Sequence, residues 1–124
     1  MKNTQGNSGK VDRATERNNQ ISDKKLAKYF DVTRRALAKI KLDADVVVDA
    51  RKSGEDFLDM AQRYFDDAKH FEKSGDFVNA FAALNYAHGW LDAGARLGFF
   101  DVGGDNVLFT VDDAHVAAIK KRNN

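Results

Sequence analysis

A chain of 124 residues, 43% hydrophobic and 31% charged, is sized for one globular domain and too short for two independent cores. No apolar run approaches the roughly 20 residues of a membrane-spanning helix. The opening residues Met1-Lys2-Asn3-Thr4-Gln5-Gly6 lead to no apolar signal core, and the lack of cysteine removes disulfides and thiolate metal sites, so a cytoplasmic protein is expected.

The net charge of +1 conceals a segregation. Residues 1–41 carry eleven Lys/Arg against four Asp/Glu, residues 42–119 carry six against fifteen, and residues 120–124 add three positives. One reading sets a basic first helix beside an acidic second one. The other makes the amino terminus a basic arm for nucleic acid or another acidic partner.

Residues 1–20 are rich in Asn, Gly, Ser, Thr and charge. They hold too little apolar surface to offset ordering entropy, and a disordered arm over 1–21 is expected. Ser22 suits an N-cap. Leu26, Tyr29, Phe30, Thr33, Leu37 and Ile40 then recur at helical spacing and predict a helix over 23–41, with Lys24, Lys28, Arg34, Arg35 and Lys39 on its solvated face.

A second helix is expected from Asp43 or Asp45. Its pattern Val47, Ala50, Gly54, Phe57, Leu58, Ala61, Tyr64, Phe65, Ala68 and Phe71 continues to Ser74, with Ser53-Gly54 a possible break and restart. Val46-Val47-Val48 would pass for a strand on β-branching alone, but the helical period argues against it. Ser74-Gly75-Asp76 closes this helix and caps the next, and so short a connection makes the two antiparallel neighbours.

The third predicted helix, from Phe77 to about Leu97, is apolar on two sides. Phe77, Ala80, Phe81, Leu84, Ala87, Leu91 and Ala95 form its main stripe; Tyr86, Trp90, Ala93 and Leu97 form a second patch nearly opposite. Such a helix is central in its domain or buried against another molecule. Gly98 ends it, and Gly103-Gly104-Asp105-Asn106 is turn-prone. Val107 to Val111 is a short extended apolar run. Thr110 and Asp113 have capping-box-like spacing for a final short helix to about Lys121. The fold expected is all-α: an up-and-down antiparallel three-helix bundle over 22–102, with a tail over 103–124 containing the extra helix.

The run from Gly75-Asp76-Phe77-Val78-Asn79-Ala80 through Asn85-Tyr86-Ala87-His88-Gly89-Trp90-Leu91-Asp92-Ala93-Gly94-Ala95-Arg96-Leu97-Gly98 resembles the archaeal domain of unknown function 357. Met60-Ala61-Gln62-Arg63-Tyr64-Phe65-Asp66-Asp67-Ala68 and Phe71 resemble that family's second helix. The likeness covers about residues 23–102. It implies an archaeal source and a compact three-helix bundle, and it brings no activity with it.

Few groupings carry chemistry. Asn85, His88, Asp92 and Arg96 climb one side of the third helix, as a polar network that fixes packing or as a small pocket with a His88–Asp92 acid-base pair. No nucleophile or second carboxylate joins them at local spacing. Arg63 and His70 have the spacing used by HEPN-type helical ribonucleases, a pattern so loose that two exposed polar residues account for it as well. No metal is expected: His70, His88 and His115 are scattered, and Asp66-Asp67 and Asp112-Asp113 read as solvated charges. No phosphate loop or other cofactor motif occurs. Tyr86, Trp90 and Leu97 form a plausible anchor for a protein partner or homodimer; their other expected cover is the tail around Leu108 and Phe109. The reading is a non-enzymatic protein-interaction or self-association module. Its alternatives are a nucleic-acid-associated protein using the arm and first helix, and a ribonuclease or small-ligand site near His88.

Overall fold

The computed structural model describes residues 16–123 and is all-α. Among those residues there are four helices and no strand: α1 (Asp23–Lys39), α2 (Ala50–Lys73), α3 (Phe77–Arg96) and α4 (Asp113–Asn123). None is long and apolar enough to cross a membrane. The expected arm falls mostly on residues 1–15, outside the described residues. The chain divides into two units, Met1–Val47 and Val48–Asn124.

In the first unit, the Ser22 hydroxyl accepts from the Lys25 amide at 3.1 Å and starts α1 where the sequence places it. Arg34 and Arg35 both turn back to Asp31, at 3.7 and 3.0 Å. A single helix has nothing of its own to cover an apolar stripe, and Leu26, Phe30, Leu37 and Ile40 are exposed.

The start of α2 differs from expectation. Asp43 accepts from the Asp45 amide in a local turn, and the valine run is neither helix nor strand. The helix begins seven residues after Asp43, at Ala50, because the Asp49 carboxylate takes the Lys52 amide at 3.0 Å. It does not break at Ser53-Gly54.

The two central helices form an antiparallel hairpin. Phe57 meets Trp90 and Tyr64 meets Tyr86, so residue numbers rise along one helix as they fall along the other. Gly75, at φ +78°, closes α2: its amide reaches the Glu72 carbonyl and the Asp76 amide reaches Phe71. Gly98, at φ +79°, does the same for α3, with its own amide on Ala95 and that of Phe99 on Gly94. Asp76 caps α3 by accepting from the Asn79 amide at 3.2 Å.

The hairpin core is made of small residues. Gly54, Ala61 and Ala68 are buried at steps of seven on α2; Ala80, Ala87 and Gly94 are buried at the same steps on α3. Opposed antiparallel, 54 falls against 94, 61 against 87 and 68 against 80. A seven-residue repeat is the signature of helices that stay in contact along their length, and side chains this small bring the axes to the near end of the usual range of about 8–10 Å. Phe99 and Phe100 fold back over the glycine end. A β-carbon at Gly54 would lie 3.4 Å from Phe99 Cβ, and one at Gly94 would fall on the Phe100 ring.

After the turn at Gly103-Gly104, the Asp105 carboxylate accepts from the Val107 and Leu108 amides, both at 2.9 Å. This curls the segment expected to be extended, and leaves Val107 and Leu108 exposed. Asp112, not Thr110, caps α4, its carboxylate accepting from His115 at 3.1 Å.

Candidate interaction surface

With small residues at the seam, the large apolar side chains fall on its two flanks, and both flanks carry open hollows; on the aromatic one these are about 240 Å³ beside Phe57 and Trp90 and about 370 Å³ beside Tyr64 and Phe71. On the first, Phe57 stands edge-on to Trp90 at 5.0 Å and to Phe99 at 5.4 Å, Tyr64 edge-on to Tyr86 at 4.4 Å, and Tyr86 edge-on to Trp90 at 6.2 Å. Edge-to-face geometry sets ring hydrogens against a neighbour's π-face, worth about 0.5–1.5 kcal/mol per pair beyond area. Trp90 is thus half-buried, with Phe57 of the neighbouring helix as cover within this unit. Tyr86 and Leu97 remain exposed at the rim. The Trp90 indole N–H is buried without a hydrogen-bond partner, a cost of about 1–3 kcal/mol that the ring packing has to outweigh.

The second flank is open. Leu58 and Phe65 from α2, with Phe81 and Leu84 from α3, are 54%, 46%, 66% and 43% exposed. Between the helices lies an open groove of about 500 Å³ whose floor is Ala61 and Ala87 and whose walls include Leu58, Phe65, Leu84 and Leu91. Monomeric proteins seldom leave a contiguous apolar strip of this kind in water.

The tail meets the hairpin at His88, which lines the groove. Phe109 stacks on His88 at 6.2 Å and 27°, and the Thr110 amide donates to Asp92 Oδ1 at 2.9 Å. His88 Nε2 lies 3.6 Å from that same oxygen. The tail therefore docks on the His88 side, across the hairpin from Trp90, with Val116 of α4 packed near Gly98.

Of the expected polar group, the structure brings together only His88 and Asp92. Asn85 and Arg96 are exposed, and among the described residues no ion pair joins Arg96 to Asp92. Asp92 accepts instead from the Thr110 amide of the tail. Arg63 and His70 are exposed on the outward side of α2, and Arg63 is held by Asp59 at 2.9 Å. Six residues separate them, and the step of seven positions is about 10 Å along the helix axis, so within one chain they share no hydrogen-bonding reach. No group of three or more His, Asp or Glu among the described residues is placed to hold a metal.

The apolar groove residues lie in the predicted apolar patterns, with Gln62, Asn85 and His88 beside them, but as a surface they are not legible there. Leu58 and Phe65 are three residues before and four after the buried Ala61, positions the period alone assigns to the core.

Residues 28–100 match the family model described as "Protein of unknown function (DUF357)". No curated protein and no solved structure matches. With well over half its length matched, spanning most of α1, the hairpin and the Phe99–Phe100 fold-back, the chain belongs to the DUF357 family of proteins of unknown function.

Proposed function

We propose that this protein is a non-enzymatic interaction module whose working surface is the open flank of the α2–α3 hairpin. The observation that carries the reading is the exposure of Leu58, Phe65 and Leu84 along one groove, with Phe81 exposed one turn before Leu84 on the same helix. Full burial of each such side chain contributes about 1.5–3 kcal/mol, which favours association with an apolar helix face. Alanine at the floor and leucine and phenylalanine at the walls suit knobs-into-holes packing with a third helix. The three-helix bundle belongs to this reading: the hairpin supplies two helices and the groove receives a third. Tyr86 and Leu97, at the rim of the aromatic flank beside Trp90, form a secondary contact edge.

The test is a photo-crosslinking amino acid at Phe81 in the native host, with Arg63 on the outward face of α2 as the control position. Discrete protein adducts at Phe81 and none at Arg63 are expected. A clean Phe81 sample, with the protein folded and abundant, would remove the reading.

A further inference from the structure

We infer that the tail from Gly103 onward is a strap that opens as one unit while the α2–α3 hairpin stays folded, and that its opening releases Asp92 and His88 together. The contacts concerned all lie within Val48–Asn124.

The strap is held lightly. Among the described residues, those that are buried lie on α2 and α3, and none lies between 101 and 121. A single hydrogen bond among them, from the Thr110 amide to Asp92, ties residues 103–123 to the hairpin. Beside it Phe109 stacks on His88, and Val116 and Lys120 of α4 come near Gly98. Where α4 meets the α3 exit, a hollow of about 110 Å³ is lined by Ala95, Phe100, Val102, Val111 and Val116, so this contact is incompletely filled. A segment with few buried contacts and exposed hydrogen bonds opens at a far lower free energy than the whole domain. The residues that match the family model end at 100, before the strap begins.

Hinge and latch lie at separate places. Gly103 and Gly104 follow one another at φ +63° and +70°, with open space around both, so the chain can swing there without a clash. The latch is one dipeptide. Phe109 sits on His88, and the next residue's amide is on Asp92 Oδ1 at 2.9 Å, one turn further along α3. Adjacent residues leave together, so one event releases both groups. It also undoes α4: a helix of eleven residues is marginal in water by itself and melts once undocked. The amides of α4 therefore report an event at Asp92, which none of them touches.

Amide hydrogen exchange on the full chain tests the strap. In wild type, residues 117–121 are expected to exchange at least about a hundredfold faster than the interior of α3. Asp92→Ala should accelerate residues 109–111 and 117–121 by one common factor of at least about ten, with the hairpin amides unchanged. Phe109→Ala, a change in the strap itself, should also accelerate 117–121 and spare the hairpin. Acceleration confined to 109–111, α4 amides that exchange only at the hairpin's rate, or a hairpin that loses as much protection as the strap in Phe109→Ala would each overturn the inference.

Discussion

Gly94→Ala is the substitution for which the structure gives the sharpest expectation. In an ordinary helix interior, replacing glycine by alanine stabilises by up to about 1 kcal/mol, since the backbone has less entropy to lose. Here the new methyl would fall on Phe100 Cε2 and lie 2.7 Å from Cδ2, well inside van der Waals contact. The other edge of the ring faces Gly54, 3.8 Å from where a β-carbon there would lie, so the ring is set between the two glycines. Overpacking a site of this kind costs about 1–3 kcal/mol. Against the propensity gain, a net destabilisation of about 0.5–2 kcal/mol is expected in urea unfolding. The assignment to Phe100 is checked by a double-mutant cycle. With Phe100→Ala in place the clash is gone, and Gly94→Ala should become neutral or stabilising. Equal effects of Gly94→Ala in the two backgrounds would refute the reasoning, whatever their size.

Gly89→Ala is the matching control: a β-carbon there meets nothing within 4 Å, so a gain of about 0.5–1 kcal/mol is expected by the same unfolding assay. Gly98→Ala should lose about 1–2 kcal/mol, because φ +79° places a side-chain-bearing residue in the left-handed region. Asp92→Ala should release the Thr110 amide, read as faster hydrogen exchange at residues 109–111 with the hairpin amides unchanged. His70→Ala should leave RNA incubated with the protein as intact as wild type does; metal-independent cleavage lost in that variant would make the protein an enzyme.

How much of this was legible in sequence depended on range. Local chemistry read correctly: the Ser22 cap, the Gly75 and Asp76 punctuation and the glycine stop at Gly98 each rest on residues within five positions of one another. The α2 start misread because Asp43, Asp45 and Asp49 are chemically alike, and a favourable local turn at Asp43 decides among them. The Asp92 contact was out of reach, since its partner amide lies eighteen residues away on a segment with no period of its own. Trp90 shows the commonest failure. A helix apolar on two sides must be covered on both, but periodicity cannot name the cover, and Phe57 supplied it from within the hairpin.

The small-residue seam explains why the remaining flank exists at all. Two helices that meet through Leu or Phe bury their large side chains in the seam itself and can stand as a closed pair with a polar exterior. Helices that meet through Gly54, Ala61 and Ala68 against Gly94, Ala87 and Ala80 approach closely, but those side chains remove little apolar area from water. The large residues are displaced to the sides, where each flank needs its own cover. Aromatic rings are long enough to interlock across the first flank, Phe57 on Trp90 and Tyr64 on Tyr86. Across the second, Leu58 and Leu84 are too short to close over the groove between them, and they stay 54% and 43% exposed. A hairpin built this way is held together at its seam and leaves large apolar side chains in water at its sides, which is why the proposed function places a third helix there.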